Sequence, residues 1–150
     1  MAGVEPHVEV WRVRIELEAA GLAEPRWPVG ISVRAFRLND AESLHGLLEH
    51  GYRDGGGSVA AFETWLPQMT GDEEFDPGLW FIAESNGALV GAVLCWTSGF
   101  VKDLVVREAW RRRGLGEALL RHVLMVFAER GAAAVELKVE ATNRGAVALY

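Results

Sequence analysis

Cysteine is the scarcest reactive residue in this chain: Cys95 is the one thiol among 150 residues. No internal disulfide can therefore staple the fold. Cys95 sits in an apolar strand-like run and reads as a small core residue rather than a nucleophile. No apolar stretch is long enough to span a bilayer as a helix. Glu5, Glu9 and Arg12 interrupt the beginning of the sequence, so no secretory signal pattern is found there. A cytoplasmic protein with no membrane partner is expected. The four histidines, at 7, 45, 50 and 122, lack metal-ligand spacing, and no metal is expected. A formal charge of −6 argues against a general nucleic-acid binder. There is no internal repeat and no low-complexity tract.

What is present is a chain half of whose residues are hydrophobic, enough for one domain with a proper core. Val8 to Leu17 reads as a strand, with Val13, Ile15 and Leu17 alternating against Arg12, Arg14 and Glu16. The phase changes between Val10 and Trp11, which suggests a bulge or turn. Glu18 to Gly30, with Pro25 and Pro28, reads as a linker. Ile31 to Arg37 is a strand. Asn39 or Asp40 can cap a helix running to about His50, with Leu44, Leu47 and Leu48 inward. Tyr52 to Ser58 reads as a glycine-rich loop, and Val59 to Met69 as a second helix. Leu79 to Glu84 and Ala88 to Thr97 form a hairpin whose Asn86-Gly87 pair favours a primed turn. Val101 to Val106 is a strand, Glu117 to Arg130 a helix closed by Gly131, and Ala134 to Val139 a strand. A further helix is expected from Asn143 to Tyr150.

Between strand and long helix lies Arg111-Arg112-Arg113-Gly114-Leu115-Gly116. A strand, a basic glycine-bearing turn and a helix start make an anion site, because free N–H groups and the positive helix end face the bend. Gly114 and Gly116 let a pyrophosphate approach the backbone. This is no Walker loop, since no Gly-Lys-Ser/Thr follows. It is no dinucleotide fingerprint, since Leu119 stands where a third glycine is needed. The order Arg-x-x-Gly-x-Gly followed by Ala118 resembles the acyl-CoA signature of the GCN5-related N-acetyltransferases. Leu104-Val105-Val106 is similar to that family's central strand, and Asn143, Ala146, Leu149 and Tyr150 to its Asn-x-x-Ala-x-x-Leu-Tyr segment.

The resemblance implies an α/β (α+β) fold, with a mixed, mostly antiparallel central sheet flanked by helices. It implies transfer of an acetyl group from acetyl-CoA to a primary amine by direct attack. The backbone from Arg111 through Gly114, Leu115 and Gly116 to Glu117 and Ala118 would hold the donor's pyrophosphate. Arg112, Arg113 and Arg111 would add charge-assisted contacts. Leu104, Val105 and Val106 would offer backbone groups to the pantetheine and the thioester oxygen. Asn143 and Ala146 would face the donor, with Asn143 also able to cap its helix. Tyr150 would protonate the departing thiolate. Asp103 is the best candidate base, with Glu140 or a water chain as alternatives. Trp65, Trp80, Trp96 and Trp110 are more readily core than acceptor pocket. A non-catalytic acyl-CoA-binding or assembly module on the same fold is the contrasting reading.

That family's fold continues after the Leu-Tyr pair with two closing strands. Ala2-Gly3-Val4 and the strand to Leu17 look like that piece, placed at the other end of the sequence. The reading is of one domain over 1–150, with a closing strand segment (1–17), a linker (18–30) and a main body (31–150). Three arrangements are open: a circular permutation, exchange of the strand within a homodimer, or a cut through a tandem pair. Permutation leads, because the linker can reach ~43 Å, whereas crossing the sheet takes about 24 Å.

Overall fold

The computed structural model describes residues 10–18, 21–54 and 57–140. Among the described residues nine strands and α-helices follow one another: β1 (Val10–Glu16), β2 (Ile31–Ala35), α1 (Ala41–Asp54), α2 (Phe62–Thr70), β3 (Trp80–Ser85), β4 (Ala88–Cys95), β5 (Phe100–Val106), α3 (Leu115–Glu129) and β6 (Ala134–Glu140). The strands form one six-stranded sheet in the order β1-β6-β5-β4-β3-β2. Every neighbouring pair is antiparallel except β5 and β6. The expected mixed, mostly antiparallel sheet flanked by helices is thus found. No helix among the described residues is long and apolar enough to cross a membrane.

Both faces of the sheet are covered, and the two-residue period of the strands sorts side chains between two cores. Phe81, Ala83, Val93 and Cys95 pack under α3, against Leu115, Leu119, Val123 and Phe127. Trp80, Ile82, Ala92 and Leu94 pack under α1 and α2, against Leu44, Leu47, Leu48, Trp65 and Met69. Cys95 is fully buried, and burial pushes its thiol up to about 12. The hairpin between β3 and β4 turns as its sequence requires, with positive φ at Asn86 (52°) and Gly87 (78°).

Four boundaries differ from the sequence reading. β1 pairs with β6 in unbroken register from Val10↔Glu140 to Glu16↔Ala134, so no bulge separates Val10 from Trp11. Asp40 directly precedes α1, but it turns its carboxylate back from the helix. It closes a short 3₁₀ turn, Leu38–Asp40, where its carboxylate accepts from the Arg37 N–H at 2.7 Å and twice from Arg34 at 2.7 Å. The second helix starts at Phe62, three residues later than expected. The largest difference is at α1, which continues through Gly51 and Tyr52 to Asp54. Gly51 does not break the helix. A Cβ there would come within 2.7 Å of Val105 Cγ2, so the glycine lets α1 lie directly on β5.

The linker is fastened as it crosses the sheet. The Trp27 ring packs on His122 of α3 with centroids 5.8 Å apart, and His122 meets Phe81 edge-on at 4.6 Å. Burial holds His122 below its ordinary value of 6.5, with Glu129 opposing the shift. The folded state therefore resists protonation of this ring. Its contribution to stability is present above about pH 6.5 and is lost as pH falls below that value.

Two outcomes are expected. Gly51→Ala should destabilise the domain by about 1–3 kcal/mol through overpacking against Val105, although alanine is the better helix former; urea unfolding reads this directly, and an unchanged midpoint would refute the close approach. Stability should fall as pH drops below about 6.5, and less so in His122→Phe, which cannot titrate. An identical pH dependence in that variant would remove His122 from the explanation.

Candidate functional site

The site begins where two neighbouring strands part. β5 is paired with β4 along its length, yet it meets β6 at only two positions, Phe100↔Glu136 and Val101↔Leu137. Beyond Val101 a gap opens between β5 and β6. The Arg107 N–H donates to Val90 on β4 at 2.8 Å, which fixes the parity of the strand. Residues 103 and 105 therefore turn their peptide groups toward β4. Leu104 and Val106 turn theirs toward the gap. Of the three backbone positions expected to meet a donor, Leu104 and Val106 face the opening, whereas the Val105 peptide faces β4.

A β-bulge lies at the point of divergence. Leu94 pairs with Asp103 but Cys95 with Val101, which leaves Lys102 as the extra residue on β5. An added residue reverses the faces beyond it. Val101 lies under α3, while Val105 lies under α1. Asp103 is thereby placed on the α1 side, its side chain only 7% exposed. There the Tyr52 hydroxyl donates to Asp103 Oδ1, and Lys102 Nζ stands 3.7 Å from Oδ2. Burial, reinforced by the Asp103 carboxylate, pushes the Tyr52 phenol well above its usual range. Tyr52 thus stays protonated at neutral pH and acts as a donor. The sequence reading missed Tyr52 because it placed that residue in a loop. An apolar face continuing past Gly51 was the only available signal.

The gap leads to the basic turn. Gly114 has φ 84° at the N-cap of α3, and Arg112 sits at φ 62°, a rare conformation for a residue with a side chain. The first N–H groups of α3, at Leu115, Gly116 and Glu117, have no partner within the helix. Gly116 is close to no rigid obstacle: a Cβ there would meet only Val106 Cγ2, at 3.8 Å. Packing among the described residues therefore does not require glycine at 116. Ala118 is buried against the sheet.

The three arginines serve different ends. Arg111 donates through Nε to the Val106 carbonyl at 3.1 Å and pairs with Asp54 of α1 at 3.0 Å. Arg113 lies over the Trp110 ring at 4.8 Å from its centroid. Arg112 is exposed. In front of the turn is a cleft of about 490 Å³, walled on one side by the linker at Ala23, Glu24 and Arg26. On the other side stand Arg113, Gly114, Glu117, Ala118 and Arg121.

Several candidates lie elsewhere. Trp65 and Trp80 are buried in the core. Trp96 packs against the α1 and α2 core, and Trp110 lies beneath Arg113. His45 is buried, with Nε2 at 2.7 Å from the Ala60 carbonyl oxygen and Nδ1 at 3.1 Å from Glu49. Among the described residues there is no group of three metal-ligating side chains. Asn143, Ala146 and Tyr150 lie outside the described residues, as does the Glu140 side chain.

Residues 42–150 match the acetyltransferase (GNAT) family. The mycothiol acetyltransferase of Streptomyces avermitilis is 32% identical over 152 residues, which cover 95% of this chain and 48% of that protein. That of Clavibacter sepedonicus is 30% identical, over 99% of this chain and 51% of the other. The chain spans about half the length of these curated relatives. Among solved structures, a GCN5-related N-acetyltransferase from Sphaerobacter thermophilus superposes with a TM-score of 0.79 at 34% identity. The alignment covers 93% of this chain and 45% of that one. The ribosomal-protein-S18-alanine N-acetyltransferase of Escherichia coli shares the fold, with a TM-score of 0.67 at 23% identity, over 80% of this chain and 74% of the other.

Proposed function

This chain belongs to the acetyltransferase (GNAT) family, and on that premise we propose that it transfers an acetyl group from acetyl-CoA to a primary amine by direct attack. The observation that carries this reading is the continuity of the β5–β6 gap with the glycine turn at the start of α3. A pyrophosphate on the N–H groups from Gly114 to Glu117 leaves the pantetheine arm to run down the gap, past the Val106 and Leu104 peptides. A Leu104 or Val106 N–H then meets the negative charge that develops on the thioester oxygen. Acetyl-CoA is a substrate in this reading, and no metal takes part.

The amine arrives from the α1 side, where Asp103 stands. As its nitrogen bonds to the acetyl carbon, the carbon–sulfur bond breaks and the amine gives up a proton. Asp103 accepts that proton through water, and Tyr52 is a positioning residue that holds the carboxylate. Tyr150 is proposed to return a proton to the thiolate, and Asn143 and Ala146 to line the donor. All three fall within the stretch that matches the family. The first acceptors to try follow from relatives named mycothiol acetyltransferase and N-alpha-acetyltransferase MAK3. The proposed setting is the cytoplasm, where a free thiol such as Cys95 persists.

For the N-terminal strand we propose that it closes the sheet within its own chain, as in a permuted domain. Exchange in a homodimer is the competing arrangement. Pairing of β1 with β6 of the same chain supports the first. A monomer should then persist at all concentrations in sedimentation; a dimer surviving dilution would favour exchange.

The catalytic test is acetyl-CoA calorimetry followed by thiol release with a panel of amines. Gly116→Val should abolish donor binding while the fold survives, given the space around that position. Asp103→Asn and Tyr150→Phe should retain donor affinity and lower turnover by about 10²–10⁴-fold. Donor binding with no amine-dependent CoA release would leave a non-catalytic acyl-CoA module. Unchanged affinity in Gly116→Val would defeat the donor site itself.

A further inference from the structure

The cleft in front of α3 has a wall that the turn does not supply. Its outer side is the linker, and the linker is held in place rather than draped. Trp27 packs on His122, Pro25 and Pro28 flank it, and the Ile31 N–H donates to the Pro28 carbonyl at 3.2 Å. Restricting the chain on both sides of Arg26 fixes where its backbone lies beside the cleft. The cleft sets Arg26, Arg113 and Arg121 against Glu24 and Glu117. Glu117 is already engaged by Arg121, at 2.8 and 3.1 Å. Arg113 has the Trp110 ring beneath it. Among the described residues no carboxylate pairs with Arg26 or Arg113. Two guanidinium groups without a carboxylate partner among the described residues thus line one cleft. That is an unusual arrangement in a chain of formal charge −6.

The cleft shares Arg113, Gly114 and Glu117 with the pyrophosphate turn. A nucleotide whose pyrophosphate sits on that turn has this adjoining space open to its ribose. Coenzyme A carries a phosphomonoester on that ribose, with up to two negative charges and three acceptor oxygens. Planar guanidinium forks match such a group better than ammonium groups do.

We propose that the cleft between the linker and the start of α3 is a phosphomonoester site, in which Arg26 and Arg113 hold the 3′-phosphate of the donor, so that the linker makes the domain select coenzyme A over its 3′-dephospho form. This rests on the acyl-CoA reading above. It adds a binding role for a segment outside the part of the chain that matches the family.

Calorimetry on the full chain with coenzyme A and with 3′-dephospho-CoA tests it. Wild type should bind coenzyme A at least about tenfold more tightly, and the preference should shrink as salt rises. Arg26→Ala should lose that preference while keeping its affinity for 3′-dephospho-CoA. Arg26→Lys should restore it in part. Equal losses on both ligands in Arg26→Ala, or no loss on either, would overturn the assignment. Wild type binding both ligands equally would also defeat it and leave the donor site standing. Wild type binding neither would defeat the acyl-CoA reading, and this one with it.

Discussion

Strand β5 is asked to pair on both sides, and it does so only at its beginning. Two ladder positions with β6 are enough to set the parallel alignment, after which the strands part. The extra residue at Lys102 lies just after those two positions. A bulge bends its strand and sharpens the local twist, so it favours separation from a straight neighbour. The same inserted residue moves Asp103 from the α3 face to the α1 face. The opening of the gap and the delivery of a carboxylate to its far side therefore have one local origin. Backbone groups within a sheet are normally satisfied by a neighbouring strand. Those of Leu104 and Val106 instead face an opening that a polar ligand can enter.

A strand that leaves one partner needs another. β6 pairs with β1 over seven positions but with β5 over two. The β1 contacts that hold it are mainly apolar. Leu17 is buried, and Val13 and Ile15 are packed against the α3 core. Burial of side chains such as these is worth roughly 1.5–3 kcal/mol each when complete. The ion pairs of Arg12 and Arg14 with Glu136 lie on the exposed surface. Pairs of that kind contribute about 0–1 kcal/mol. The gap thus depends on hydrophobic closure at the far edge of the sheet.

Much of this was legible from residue order. Alternation identified the first strand, Asn86-Gly87 the hairpin turn, and Leu44, Leu47 and Leu48 the inward face of α1. Those signals are local, and local rules read them. The first strand was also expected to close the sheet, and it pairs along Ala134–Glu140. What escaped the sequence depends on approach between distant parts. Gly51 reads as a breaker until Val105 is seen 2.7 Å from where its Cβ would stand. The bulge at Lys102 leaves no mark in a run of alternating and apolar residues. Tyr52 gains meaning only once α1 extends far enough to bring it to Asp103. Arg26 reads as a linker charge until Trp27 fastens the chain beside it.

The C-terminal end of α1 bears on both halves of the site. Tyr52 reaches Asp103, and Asp54, two residues on, reaches Arg111. Arg111 in turn donates to the Val106 carbonyl at the mouth of the gap. The Arg111–Asp54 pair is too exposed to add much stability. Its effect is geometric, since it ties the basic turn to the helix that carries the acceptor side. Gly51 sets the height of that helix above β5 by bare contact. A shift of α1 away from the sheet would withdraw the hydrogen bond to Asp103 and pull on the turn through Arg111 at once. Donor turn and carboxylate are thus held in register by one helix end, and close packing at a single glycine fixes where that end lies.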